Sequence, residues 1–126
     1  MIYYHYTTKE AYEEINKTEE FIPSYFSMAL DATYGPGWYF TDLTPDKTDK
    51  ALYQLWGGIE PYRVKYYLEF DINSDWLEYC RPHVYRLPTS KIRDVNINTA
   101  GIYRDKQNNL VLTLKRMGSR LLDFFR

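Results

Sequence analysis

The sequence has little sulfur or imidazole with which to build a cross-link or a metal centre. Its single cysteine, Cys80, excludes an intramolecular disulfide and a cysteine-based zinc cluster. Its two histidines, His5 and His83, do not suffice for a multi-histidine metal site. We therefore expect no bound metal, and a fold that depends on its hydrophobic core.

Long apolar runs are also missing. No segment approaches the roughly 18 consecutive apolar residues that a membrane-spanning helix requires. Charged residues between Lys9 and Glu14 interrupt the N-terminus before it could supply the apolar centre of a signal peptide. We expect a cytoplasmic protein without membrane contact. Because Met1 leads directly into the first predicted strand, we also expect the domain to stand alone.

A charge imbalance is absent as well, whereas tyrosine is abundant. The 16 basic and 17 acidic residues give a formal charge of −1, which argues against a general polyanion-binding surface and against an RNA-binding protein. The length of 126 residues suits one domain, 1–126, of ordinary globular composition. The 14 tyrosines fit half-buried strands or a surface on which flat ligands stack.

Short aromatic strands and a few helices alternate along the chain. Residues 2–7 predict the first strand, and a capping box at residues 7–10 begins a helix that ends near Lys17. Residues 38–41 predict a second aromatic strand, and a helix that opens at Pro45 and Asp46 follows it. Further strands are predicted at residues 21–23, 63–70, 83–87, 92–97, 101–104 and 110–114, the last two as a hairpin.

Two further segments complete the predicted α+β fold. Residues 25–37 show no periodicity and end in a Tyr-Gly-Pro-Gly turn, which predicts a long loop of the kind that is usually functional. Residues 115–125 predict a C-terminal helix that docks on the core. Its apolar face comprises Met117, Leu121, Leu122 and Phe125.

Few motifs carry chemistry. The glycine-rich phosphate loops and the Gly-x-Ser-x-Gly elbow are absent. Cys80 lies three residues before His83, but nothing nearby completes a catalytic triad, so a Cys–His nucleophile is disfavoured. Residues 4–7, Tyr-His-Tyr-Thr, and residues 35–42, Gly-Pro-Gly-Trp-Tyr-Phe-Thr-Asp, stand out. Together they predict a cleft for a flat, phosphate-bearing ligand, because glycines allow backbone amides to approach phosphates.

These segments resemble blocks of the ADP-ribosyltransferases with a His-Tyr-Asp signature, which are small toxin-type domains of bacterial conflict systems. The glycine-rich block also resembles the Gly-x-Gly-x-Tyr-Phe-x-Asp strand of the poly(ADP-ribose) polymerases. The resemblance extends over residues 2–98. Its weaker blocks are Pro23-Ser24, Tyr67-Leu68-Glu69-Phe70-Asp71 and Val84-Tyr85-Arg86-Leu87-Pro88.

The resemblance implies a fold and a reaction. The fold is a split pair of small β-sheets with flanking helices and a cleft between the sheets. The co-substrate is NAD, and ADP-ribose passes to a macromolecular acceptor, protein or nucleic acid, with release of nicotinamide. Such an effector can have an antitoxin or immunity partner. The alternatives are an NAD glycohydrolase and an inactive module that binds NAD or ADP-ribose.

The resemblance also assigns roles to residues of the two main blocks. His5 donates a hydrogen bond to the adenosine-side ribose of NAD, and the backbone of Tyr6, with Thr7 nearby, holds the nicotinamide amide. Tyr39 stacks on the nicotinamide ring. A structural role remains open for each: His5 as an ordinary strand histidine, and Tyr39 as a core residue with its two neighbours on the opposite face.

The turn glycines, Gly35 and Gly37, complete the expected cofactor site. The least certain member is the catalytic carboxylate, because the strand that carries it in polymerase-like relatives has no acid here. Asp42 is the first choice, and its competing role is to cap the helix that follows it. The other candidates are Asp71, Glu69 and Glu78.

Overall fold

The structure is a computed structural model that describes residues 1–18, 21, 34–56, 64–88, 96–99, 102–104 and 110–120. Within these residues the chain forms eight strands: β1 Ile2–Thr7, β2 Gly37–Phe40, β3 Tyr66–Ile72, β4 Glu78–Arg81, β5 Val84–Pro88, β6 Asn96–Thr99, β7 Ile102–Arg104 and β8 Leu110–Ser119. Two α-helices, α1 Lys9–Thr18 and α2 Asp49–Tyr53, lie between the early strands. Short 3-10 helices occupy Gln54–Trp56 and Ser74–Trp76.

The strands form two antiparallel sheets. One has five strands in the order β1-β3-β8-β7-β6, and the other has three in the order β2-β5-β4. The predicted hairpin is confirmed as β7 and β8, which pair antiparallel. Two small sheets with few helices agree with the predicted α+β class.

Side chains of β1 alternate between two hydrophobic clusters because successive strand residues point to opposite faces. Tyr3 belongs to a first cluster with Phe21, Trp38, Phe40 and residues of β3. Tyr4 and Tyr6 belong to a second cluster with Tyr39 and residues of α2. Both faces of β1 are therefore covered, which accounts for the three tyrosines of this strand.

The helix starts differ slightly from the sequence prediction. The hydroxyl of Thr8, not Thr7, caps α1 by accepting from the backbone N–H of Ala11 at 3.1 Å. Helix α2 begins at Asp49, with Thr48 as its N-cap, and not at Pro45. Residues 45–47 form a turn instead, in which the Lys47 N–H bonds the Thr44 carbonyl at 3.1 Å.

The predicted C-terminal helix is wrong for the part that the structure describes, since β8 continues to Ser119. Lys115 is an extra residue in this strand, because Arg116 pairs with Glu69 and Leu114 with Phe70. Such a bulge brings residues three apart, Leu114 and Met117, onto one cluster. The resulting three-residue spacing imitates a helix. Residues 121–126 lie outside the described part.

Several other predictions fall wholly or partly outside it. The predicted strand at residues 21–23 is described only at Phe21, which is buried in the first cluster without strand structure. Residues 25–33 of the predicted loop, the block at 23–24 and residues 92–95 are not among the described residues. None of the helices in the described ranges combines the length and apolarity needed to cross a membrane.

Candidate functional site

The two sheets meet where β1 approaches β2. Tyr4 and Thr41 exchange two backbone hydrogen bonds of 2.8 Å, which form an isolated antiparallel bridge. In an antiparallel strand, backbone groups face the two neighbours alternately. Because Tyr4 bonds towards β2, Tyr6 two positions later presents its N–H and C=O to the same side. The described part of β2 supplies no backbone partner there, so the strands part at Tyr6.

His5 lies at this point of divergence. Its Nδ1 is 2.8 Å from the carbonyl oxygen of Tyr39, and its ring packs edge-on against Phe21 at 4.9 Å. A carbonyl can only accept, so Nδ1 carries the proton, and Nε2 of the neutral ring is an acceptor. The side chain is half-buried. His5 therefore ties β1 to β2 just before the two strands separate.

Tyr39 lies on the other face of this junction. Its side chain is only 8% exposed and packs in the second cluster, whereas Trp38 and Phe40 belong to the first, as strand alternation predicts. Its hydroxyl donates to the carbonyl of Gly35. Burial raises the pKa of this phenol. The ring is therefore a wall of the site whose position is tied to the glycine turn.

The glycine turn is shaped by its neighbours. Gly35 has a φ of 109°, a conformation that favours glycine, and the guanidinium of Arg86 occupies the space where a Cβ would lie. A Cβ on Gly37 would lie 2.5 Å from the carbonyl oxygen of Leu87 in β5. Packing against the backbone of β5 thus requires glycine at position 37, whereas the backbone conformation of Gly35 favours glycine at position 35.

Arg86 was not anticipated from the sequence. It pairs with Tyr39 across β2 and β5, and its Nη2 bonds Glu78 of β4 at 2.7 Å. The Glu78 carboxylate raises the pKa of this guanidinium. Its Nε is buried, and no described residue accepts a hydrogen bond from it. The register of β2 with β5 is the signal that places this positive charge beside the glycine turn.

Asp42 directly follows the bridging Thr41. Its Oδ1 lies 2.7 Å from Nδ1 of His83, and its Oδ2 accepts from the Tyr85 hydroxyl at 3.4 Å. The expected helix-capping role is wrong, because α2 is capped by Thr48. If the register of the Tyr4–Thr41 bridge is continued past the end of β2, Asp42 lies on the same face as His5.

The other candidate acids each pair with a cation. Asp71 bonds the N-terminal ammonium at 3.1 Å, and Glu69 bonds Arg116 at 3.1 Å. Glu78 bonds Arg86, as described above. Among the four candidates, Asp42 is thus the one whose described partners are an imidazole and a phenol.

A surface groove adjoins this carboxylate. It has a volume of about 440 Å³ and lies between the end of α2 and the turn that joins β4 to β5. Its lining includes His83 and Arg81, whose guanidinium donates to the carbonyls of Gln54 and Leu55. His83 was not predicted from the sequence as a site residue.

Cys80 does not join His83 in a dyad. Its thiol contacts the Glu78 carbonyl at 3.7 Å, and burial raises the thiol pKa, so the reactive thiolate is disfavoured. Across the described ranges, no group of three histidine, cysteine, aspartate or glutamate side chains is arranged to hold a metal ion.

Comparison with known families decides the relationship. A family model described as an ADP-ribosyltransferase containing a HYD1 signature matches residues 3–100. The chain belongs to this toxin-type ADP-ribosyltransferase family. No curated protein and no solved structure matches the chain.

In this ADP-ribosyltransferase, both main sequence blocks lie within the matched range. The structure brings His5, the Tyr6 backbone and the Tyr39 carbonyl together at one junction. It places Thr7, which is buried, at the end of β1 and Asp42 on the far side of the bridge, against His83. The family match does not by itself assign a role to any of these residues.

Proposed function

We propose that this protein is an NAD-dependent ADP-ribosyltransferase, a toxin or defence effector that transfers ADP-ribose to a macromolecular acceptor and releases nicotinamide. The observation that carries the proposal is the divergence of β1 from β2 beside His5, in a chain of this family. We take the two sheets as the split pair of the ADP-ribosyltransferase fold, with NAD in the opening and residues 1–126 as one domain.

The backbone of Tyr6 supports the placement of nicotinamide. Its N–H and C=O face the opening and complement a carboxamide, which offers one acceptor and two donors. Thr7 lies next to it at the end of β1, where it pairs with Tyr66 of β3. The sequence predicts that His5 donates to the ribose, but its Nδ1 proton is already bonded to the Tyr39 carbonyl. His5 would therefore accept from a ribose hydroxyl through Nε2 of the neutral ring.

The diphosphate fits the region of the glycine turn. Arg86 brings a guanidinium to Gly35, and guanidinium groups pair well with phosphate oxygens. Its buried Nε has hydrogen-bonding capacity left among the described residues. Gly35 and Gly37 would contribute backbone groups, and Tyr39 would hold the turn through its hydroxyl.

The reaction breaks the N-glycosidic bond between nicotinamide and ribose. Its transition state resembles an oxocarbenium ion, as in glycoside hydrolysis, and a fixed carboxylate stabilises such a cation. We assign this role to Asp42, because Asp71, Glu69 and Glu78 are each paired with a cation. The acceptor then attacks the carbon that nicotinamide leaves.

We further propose that the enzyme acts in the cytoplasm without membrane contact, on a protein or nucleic acid. An antitoxin or immunity protein would restrain it. NAD hydrolysis is the second candidate reaction, and the groove beside His83 favours it to the extent that water can enter there.

Thermal denaturation with NAD tests binding, because a ligand that binds only the native state raises its stability. We expect a higher melting temperature at millimolar NAD, and no shift would contradict the proposed site. Labelled NAD with a cell lysate then separates the reactions. Labelled macromolecules indicate transfer, free ADP-ribose indicates hydrolysis, and binding without nicotinamide release indicates an inactive module.

A further inference from the structure

The turn between β4 and β5 contains a histidine in an unusual backbone conformation. Arg81 and Val84 pair across the hairpin, so Pro82 and His83 form its two-residue loop. His83 has a φ of 65°, in the left-handed region, where type II turns normally place glycine or asparagine. A side chain other than glycine at such a position is worth a functional explanation.

The side chain of His83 is held by Asp42. Nδ1 of His83 lies 2.7 Å from Oδ1 of Asp42, and a carboxylate can only accept, so the proton lies on Nδ1. Nε2 of the neutral ring then carries the basic lone pair. The ring is half exposed and lines the groove of about 440 Å³, which gives a small molecule access to it. An imidazole oriented by a carboxylate is a general-base arrangement.

The groups around His83 favour this role. Asp42 comes from the end of β2, and Tyr85 of β5 donates to the same carboxylate. Arg81 of β4 also lines the groove, but its guanidinium is directed to the carbonyls of Gln54 and Leu55. Cys80, the neighbouring thiol, is not bonded to the imidazole.

We propose that His83 is the general base that deprotonates the nucleophile, an inference that rests on the proposed function. As a neutral hydroxyl oxygen attacks the anomeric carbon, its proton moves to Nε2 of His83. The bond from that carbon to the pyridinium nitrogen breaks, and its electron pair leaves with neutral nicotinamide. The imidazolium then returns the proton to solvent. A base of this kind suits a hydroxyl acceptor, because a carboxylate acceptor has no proton to remove.

The substitution His83→Gly separates chemistry from folding. Glycine suits a φ of 65°, and relief of that backbone conformation offsets the lost bond to Asp42, so the variant should melt close to the wild-type temperature. The assay uses NAD with water and methanol as nucleophiles, and it measures nicotinamide, ADP-ribose and methyl ADP-ribose. We expect nicotinamide release to fall on the order of a hundredfold or more. Free imidazole should restore part of the loss in the variant and leave the wild type unchanged.

Two further variants sharpen the test. His83→Asn tolerates the backbone conformation and can still donate to Asp42, but it cannot take a proton, so it should be as impaired as His83→Gly. Pro82→Ala alters the same turn and should keep activity within about twofold, small beside the effect expected of a lost general base. Wild-type activity in either His83 variant overturns the inference, as does an equal loss in Pro82→Ala. Formation of ADP-ribose without methyl ADP-ribose overturns the hydroxyl acceptor.

The nicotinamide assay distinguishes a failure of the proposed function from a failure of the base assignment. If the wild type releases no nicotinamide from NAD under any of these conditions, the ADP-ribosyltransferase assignment fails. If the wild type releases nicotinamide and the His83 variants match it, only the assignment of the base fails.

Discussion

The imidazole of His5 is joined to the backbone carbonyl of Tyr39 at 2.8 Å, across the gap between two strands that pair at only one described bridge. The contact combines two residues that the sequence marks as functional. It uses the backbone of Tyr39 and leaves that residue's ring on the opposite face. His5 and Tyr39 therefore serve the site in different ways, and their substitutions should have different effects.

Replacing His5 with alanine should weaken NAD binding more than it weakens the fold. The variant loses the hydrogen bond to the Tyr39 carbonyl and the edge contact with Phe21, and the loss of this bond costs about 1 kcal/mol of unfolding free energy. Loss of the ribose contact should weaken NAD binding about tenfold. Urea unfolding and NAD titration measure the two effects.

Thr48→Ala is the matched control, because losing the N-cap of α2 also costs about 1 kcal/mol. It should leave NAD affinity unchanged. Equal NAD affinity in the His5→Ala variant and the wild type would assign His5 a structural role.

Tyr39 needs a milder substitution. Its ring is 8% exposed, so Tyr39→Ala should destabilise the protein by about 3–5 kcal/mol. That variant therefore measures the role of Tyr39 in the hydrophobic core and not its role in the site. Tyr39→Phe keeps the ring and removes the hydroxyl, with its bond to the Gly35 carbonyl and its interaction with Arg86, at about 1 kcal/mol. We expect weaker NAD binding in Tyr39→Phe, measured by titration calorimetry, because the glycine turn is no longer tied. Unchanged affinity would show that this bond does not shape the site.

Arg86→Gln tests the placement of the diphosphate. Removing the charge should weaken NAD binding about tenfold, the scale of a lost hydrogen bond to a charged group, and make the remaining affinity less sensitive to salt. Arg116→Gln is the control, since it removes an equal charge from an exposed pair with Glu69. If both variants bind NAD alike, the positive charge at the glycine turn has no specific part in binding.

Asp42→Asn removes a charge while keeping size. Asparagine still accepts from His83 through its amide oxygen, and the position is exposed, so the melting temperature should change little. Nicotinamide release should fall on the order of a hundredfold, because the transition-state cation loses its carboxylate. Asp71→Asn is the matched control. Full activity in Asp42→Asn would transfer the same test to Glu69 and Glu78.

The junction between β1 and β2 could be predicted because its residues follow sequence patterns that are typical of strands and turns. An aromatic, β-branched run predicts β1, and glycines before an aromatic run predict the turn and β2. His83 and Arg86 were missed because their importance depends on register. Only the pairing of β5 with β2 places Arg86 beside Tyr39, and only the hairpin turn brings His83 to Asp42.

The C-terminal error has a similar origin. The bulge at Lys115 shifts the register of β8, so Leu114 and Met117 reach one cluster at a spacing that also fits a helix. Periodicity alone cannot separate these two structures, because the bulge is decided by pairing with β3. The start of α2 was likewise placed too early, since both Pro45 and Thr48 are good helix-start residues.

Arg120 joins the end of β8 to the start of α2. Its guanidinium is 91% buried and bonds Asp49 at 2.7 Å as well as the carbonyls of Pro45, Lys47 and Val64. Removing Arg120 leaves three carbonyls without this donor, while Asp49 keeps Lys65 as its cation at 2.8 Å. Because several hydrogen bonds are lost together, we expect Arg120→Ala to lower the unfolding free energy by about 3 kcal/mol at pH 7, measured by urea denaturation.

The stabilisation by the Asp49 carboxylate should depend on pH. Lys65 and then Arg120 lower the pKa of the Asp49 carboxyl by bonding it, so the pair stabilises the fold above the ordinary aspartate range. That stability disappears as the pH falls through the lowered pKa, because the protonated carboxyl no longer attracts either cation. The gap between the wild type and Arg120→Ala should therefore narrow below about pH 4, without closing, since three carbonyl contacts are lost at every pH. Of the three proteins, Asp49→Asn should show the smallest change in unfolding free energy between pH 7 and pH 3. If the difference between the wild type and Arg120→Ala is instead the same at every pH, the carbonyl contacts alone provide the stabilisation.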